Sequence, residues 1–127
     1  MDVTDPSQHN LTNSECQRVG QVLARIGDKW TVVVINELGE GPQRFNALQR
    51  AIAGVSQRML TLTLKNLERD GLVSRTVTAS VPPRVDYALT DLGRSMLVPV
   101  RALGQWAQGH IPQMDAARAR YDSREGS

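Results

Sequence analysis

Between Ser56 and Arg69 the sequence SQRMLTLTLKNLER sets Arg58, Thr61, Leu62, Lys65 and Arg69 at helical spacing. At about 100° per residue these five cluster on one side, and Leu60, Leu64 and Leu67 fall within a narrow arc opposite. A helix with an apolar face and a cationic, hydrogen-bonding face is suited to a polyanion. A guanidinium donates two hydrogen bonds to a guanine edge, an amide or hydroxyl reaches adenine or phosphate, and an apolar side chain meets a thymine methyl. Arg58, near the helix start, is thus a candidate for a base edge or a phosphate. Ser56 and Gln57 are candidates for phosphate or adenine, and Thr61 and Leu62 for a thymine methyl. Lys65, Arg69, Arg75 and Arg84 suit phosphate contacts, which add affinity without reading sequence. Arg69 lies late enough in the helix to complement its dipole and pair with a carboxylate instead.

The charge distribution supports this assignment. From Gln43 to Arg84 seven basic residues (Arg44, Arg50, Arg58, Lys65, Arg69, Arg75 and Arg84) face only Glu68 and Asp70, a net +5. The whole chain carries +2, so the remainder carries −3 and the middle is a basic island. Other chemistry is poorly supplied. Cys16 is the one cysteine, which excludes an intrachain disulfide and a multi-cysteine metal cluster. His9 and His110 lie near the two ends with no pattern of a nucleophile and its base or of a metal site around them. The glycines form no phosphate-binding loop. The expectation is a protein that is not an enzyme and uses no metal or cofactor.

At 127 residues, 40% of them apolar, the chain is one ordinary domain. Its longest apolar runs, such as TVVVI at 31–35, fall far short of the roughly 20 residues that cross a bilayer. The start MDVTDPSQHN lacks the basic and apolar regions of a signal peptide, so a cytoplasmic protein is expected.

The elements that position the basic face follow from caps and periodicity. Ser14 with Gln17 fits a capping box opening a helix with Val19, Val22, Leu23 and Ile26 on one face, ending at Gly27. Asp28 caps a second helix that runs to GEGP at 39–42; its β-branched stretch 31–35 also has strand propensity, but caps and length favour helix. Phe45, Leu48 and Ile52 mark a short helix ending at Ala53-Gly54-Val55, and Ser56 caps the basic helix, which Gly71 closes. LVSRTVT and RVDYALT alternate as strands, with ASVPP as a long hairpin tip. Thr90 and Asp91 open a last long helix bearing Leu92, Met96, Val100, Leu103 and Ala107, with Trp106 nearby, re-aimed at Pro99. Trp30 and Trp106 are expected as core or interface anchors.

The resulting fold is mainly α with a small β-hairpin: a winged helix-turn-helix dimerising through its terminal helices. Residues 1–13 are expected as a flexible segment, 14–112 as the domain and 113–127 as a polar tail that frays. The leading function is a sequence-specific DNA-binding regulator. The alternative is a winged helix that binds protein, for which an exposed apolar or acidic face would be expected in place of the basic one.

The stretches LARIGDKWTVVVINEL, RFNALQRAIAGVSQRMLTLTLKNLERDGLVSRTV and VPPRVDYALTDLGRSMLVPV resemble the HxlR-type branch of winged-helix bacterial regulators, related to the MarR group. The likeness runs from Cys16 to about Trp106. It implies a homodimer on a pseudo-palindromic operator, controlling a neighbouring gene, and gives a use to the apolar stripe of Leu92, Met96, Val100, Leu103, Trp106 and Ala107 as the dimer interface. Repression is the default, because a dimer that covers a promoter blocks it. It also draws attention to Cys16, since several such regulators sense oxidants or electrophiles through a cysteine near the start of the first helix. Many have Cys-Pro where this chain has Cys16-Gln17. With Ser14 as N-cap, Cys16 is the second helical residue, beside unbonded backbone N–H groups that favour thiolate, while Glu15 opposes this and Arg18 partly offsets it. The opposing reading is a small buried hydrophobe. The effector stays open.

Overall fold

The computed structural model describes residues 12–126. Their order is α1 (Asn13–Ile26), α2 (Lys29–Leu38), β1 (Gln43–Arg44), α3 (Phe45–Ala51), α4 (Gln57–Arg69), β2 (Val73–Thr78), β3 (Arg84–Leu89), α5 (Asp91–Ser95) and α6 (Leu97–Glu125). This is a mainly helical winged helix-turn-helix with a small antiparallel sheet. Residues 1–11 of the expected N-terminal segment, and His9 with them, lie outside the described residues.

The first cap differs from the sequence expectation. Thr12, two residues before Ser14, is the N-cap: its Oγ1 accepts from the Glu15 N–H at 3.1 Å, and Glu15 Oε1 accepts from the Thr12 N–H at 2.9 Å. A carboxylate at the third helical position is a charge-assisted acceptor at the positive end of the helix, which favours Thr12-Glu15 over Ser14-Gln17. The bond from the Thr12 N–H, and after it one with the Thr12 side chain, hold the Glu15 carboxyl below the ordinary glutamate value.

α2 is helical in spite of its β-branched run. The Asp28 carboxylate accepts from the Thr31 N–H at 3.2 Å, and Thr31, Val34, Ile35 and Leu38 are buried, so cap and burial override propensity. Val34, Ile35, Leu38, Leu48, Leu60, Leu64 and Leu67 form the centre of the core. Trp30 packs on its margin with the Lys29 ammonium 4.6 Å from its ring centroid.

Ser56 caps α4 through the Met59 N–H at 3.0 Å. The helix ends with Gly71 at φ +79°, the Leu72 N–H donating to Leu67 O and the Gly71 N–H to Glu68 O. That pairing satisfies the final carbonyls and turns the chain directly into β2. The sheet order is β1-β3-β2, with Arg75 opposite Tyr87, Thr78 opposite Arg84, Gln43 opposite Tyr87 and Arg44 opposite Asp86. The two-residue β1 was not expected: two residues are too short to show alternation.

Thr90 caps the next helix as anticipated, but what read as one helix is two. α5 ends at Ser95, Met96 turns the chain, and α6 begins with Pro99 as its third residue. In an unbroken helix Pro99 would lack its N–H bond and press on the Ser95 carbonyl, whereas in a first turn the missing donor is harmless. The break folds Met96 and Val100 into the core beside α2, so these two, expected on a dimer interface, are buried within the protomer. Beyond residue 112, where a frayed tail was expected, α6 continues through Pro112 to Glu125 over a segment rich in alanine and arginine, both strong helix formers.

Candidate nucleic-acid interface

The basic residues come from three elements fixed by the core. Leu60, Thr63, Leu64 and Leu67 anchor α4, which turns Gln57, Arg58, Leu62, Lys65 and Arg69 to solvent and leaves Thr61 half-buried. Leu62 is 51% exposed, an apolar side chain amid cations, and leans toward a groove against Gln21, Ala24 and Arg25 of α1. Ser56 is committed as a cap acceptor, leaving its hydroxyl proton to donate.

Arg75 on β2 lies across from Tyr87 on the sheet face that meets α4. There Thr61, Lys65, Glu68, Arg75 and Tyr87 line one hollow of about 390 Å³. The structure thus brings Thr61 and Lys65 of α4 together with Arg75 of β2, and adds Tyr87, which the sequence had placed only as a strand residue. Arg58, Lys65, Arg69 and Arg75 make no ion pair within the described residues, whereas Arg25, Arg84 and Arg101 do. The cations of the α4 surface are therefore exposed without internal neutralisation.

Arg84 is placed differently. Its Nε donates to Asp86 Oδ2 at 3.0 Å, so the guanidinium is tethered along the strand rather than hanging from the hairpin tip. It lines a cleft with Arg44 and Arg50 on one wall and Thr78, Ser80, Pro82 and Pro83 on the other. Arg44 and Arg50 had counted only toward the basic island; the β1 pairing that puts Arg44 opposite Asp86 was not visible in the sequence.

Two further groups of candidates lie on the terminal helices. Cys16 is exposed and is the fourth residue of α1, not the second, because the cap is Thr12; its own N–H donates to Thr12 O at 2.8 Å. The unbonded amides expected beside it are therefore used or farther away. α1 buries none of its residues, and Val19, Val22 and Leu23 face outward. On α6, Leu103 and Trp106 are exposed and Ala107 is half-buried, while Leu92 on α5 is exposed. Trp106 stacks on His110 with ring centroids 4.5 Å apart. The apolar stripe continues through Ile111, Met114 and Tyr121, past the expected end of the domain.

No helix among the described residues is long and apolar enough to cross a membrane, and no group of three or more His, Cys, Asp or Glu side chains there could hold a metal ion.

A family model described as HxlR-like helix-turn-helix matches residues 25–115. The uncharacterized HTH-type transcriptional regulator YtfH of Escherichia coli (strain K12) is 38% identical over 109 residues, covering 86% of each chain. The redox regulator HypR in its oxidized form superposes with a TM-score of 0.67 at 39% identity, covering 72% of this chain and 95% of that one. Diamide-treated YodB from B. subtilis gives a TM-score of 0.64 at 28% identity over 78% of this chain and 94% of that one. With a matching family model, relatives of this similarity and the same winged helix-turn-helix, the chain belongs to the HxlR-like helix-turn-helix family and is an HTH-type transcriptional regulator rather than an enzyme.

Proposed function

We propose that the protein is a homodimeric repressor that binds a pseudo-palindromic operator in double-stranded DNA beside a gene it controls. α4 enters the major groove. Arg58 reads a base edge, with Ser56, Gln57, Thr61 and Leu62 around it, while Lys65, Arg69, Arg75 and Arg84 hold phosphates. The observation that carries this reading is the set of exposed α4 and β2 cations without carboxylate partners. Such a surface is costly in self-repulsion and gains affinity when phosphates replace condensed counterions. The exposed apolar stripes of α1 and α6, with Leu92, Leu103, Trp106 and Ala107, form the dimer contact. The work is done in the cytoplasm, on the nucleoid.

A second reading concerns the signal. Cys16 is exposed in the first turn of α1, and the redox regulators HypR and YodB are among the similar structures. Oxidation of this thiol, as an interchain disulfide, a mixed disulfide or a sulfenic acid, then alters operator binding. Both readings are tested by footprinting the purified protein on DNA flanking its gene, before and after a mild thiol oxidant and with Cys16→Ser. A protected palindrome supports the repressor, and protection lost on oxidation only when Cys16 is present supports the sensor. Absence of protection on any genomic fragment would shift the assignment to a protein-binding winged helix.

A further inference from the structure

The hollow between α4 and the sheet contains one group that the basic-face assignment does not use. Tyr87 is half-buried against the core, and its hydroxyl has no hydrogen-bond partner among the described residues. A tyrosine at a core margin usually finds a partner for its O–H. Around it stand the Lys65 ammonium, the Arg75 guanidinium and the Thr61 hydroxyl, all donors, together with one carboxylate, Glu68, which makes no ion pair with them. The hollow opens beside the outward face of α4, where the backbone flanking an occupied major groove must pass.

We propose that this hollow seats one phosphate of the DNA backbone, with Tyr87 as its neutral donor and Glu68 as the group that limits its affinity. The inference rests on the DNA-binding reading above and extends it to two residues. A phosphate oxygen accepts from the Tyr87 O–H and from Lys65 and Arg75, which fixes how deeply α4 sits in the groove. Glu68 on the rim repels the same phosphate, so the seat is weaker than its three donors alone would make it. Tyr87 is the discriminating residue because its contribution carries no charge: it adds affinity without releasing a counterion.

The test is duplex binding across a series of salt concentrations for the full-length protein, Tyr87→Phe and Glu68→Gln, on operator and on scrambled duplex. Tyr87→Phe keeps the ring in place, and an unchanged melting temperature checks the fold. The expected loss is about tenfold on both duplexes with the salt slope unchanged, the size of a hydrogen bond to a charged group. Glu68→Gln is expected to tighten both by a few fold. Binding within twofold of wild type for both variants overturns the phosphate seat while leaving the regulator intact. No duplex binding by the wild-type protein sinks both. Inorganic phosphate added without DNA is the remaining arm: saturable perturbation of the Tyr87 ring resonances at millimolar concentration, together with duplex binding by Tyr87→Phe within twofold of wild type, would assign the seat to a free anion and overturn the backbone assignment.

Discussion

Arg25, in the last turn of α1, holds Asp70, the C-cap of α4, with its Nη1 3.0 Å from Oδ1 and 3.1 Å from Oδ2. Among the described residues it is the one ion pair tying α1 to α4. α1 buries no residue of its own, so this pair and the packing of Ile26 carry much of its attachment. Both side chains are partly exposed, and the pair contributes at most about 1 kcal/mol. Arg25→Ala should therefore leave global stability nearly unchanged yet accelerate amide exchange in α1 by up to about fivefold, with α4 unaffected. Exchange in α1 at the wild-type rate would show that the pair does not tether it.

The α1 cap has a pH dependence of known sign. Glu15 has its folded-state pKa lowered, chiefly by the hydrogen bond from the Thr12 N–H and then by that with the Thr12 side chain. Its stabilising contribution is therefore present above the ordinary glutamate value and lost as pH falls through the lowered one. Acid titration should fray the first turn of α1 before the core melts, and Glu15→Gln should remove that early step. Following the Thr12 and Glu15 amide resonances through the titration would settle it.

α5 packs closely on the backbone of Leu72, just before β2. A Cβ added at Gly93 would lie 2.1 Å from Leu72 O and 3.1 Å from its carbonyl carbon, both backbone atoms that cannot swing away. Gly93→Ala should destabilise by about 3 kcal/mol or more, at or above the top of the usual overpacking range. At Gly104, where nothing lies within 4 Å, the same change should be neutral or stabilise α6 by up to about 1 kcal/mol. Chemical denaturation of the two variants gives the comparison directly.

Arg58 and Lys65 occupy the same surface but are assigned different roles. Arg58→Ala should cost about 1–3 kcal/mol on the operator and relax sequence preference, whereas Lys65→Ala should weaken all duplexes alike and flatten the salt slope by about one. Equal loss on operator and random DNA for Arg58→Ala would remove its base-reading role.

Leu103 is 68% exposed on α6, so a charge there costs the protomer fold little. Leu103→Glu should dissociate the proposed homodimer while leaving the circular dichroism spectrum intact. Sedimentation at low protein concentration reports the outcome.

The parts of this molecule governed by local rules were legible in the sequence. Asp28, Ser56 and Thr90 as caps, Gly71 as the end of α4 and the Leu60-Leu64-Leu67 face all depend on residues within a few positions of one another. What the sequence hid depends on partners far along the chain or on competition between similar signals. β1 exists because Gln43 and Arg44 find Tyr87 and Asp86 some forty residues later. Met96 and Val100 share an apolar period with Leu103, and only the turn at Met96 decides that the first two enter the core and the third does not. Thr12-Glu15 and Ser14-Gln17 are overlapping versions of one motif, and the charged acceptor prevailed. Tyr87 joined the candidate site only when β3 was laid against β2 and α4.

The 29-residue span of α6 makes the chain's tolerance of insertions uneven. One residue added between Gln108 and Gly109 would rotate everything beyond it by about 100°, swinging Met114 and Tyr121 out of line with Leu103. The same insertion in the 79–83 hairpin tip only lengthens a surface loop, at a fraction of a kcal/mol by about the logarithm of loop size. Length variation among related chains should therefore collect at the tip, and α6 should behave as a ruler whose graduations cannot be moved.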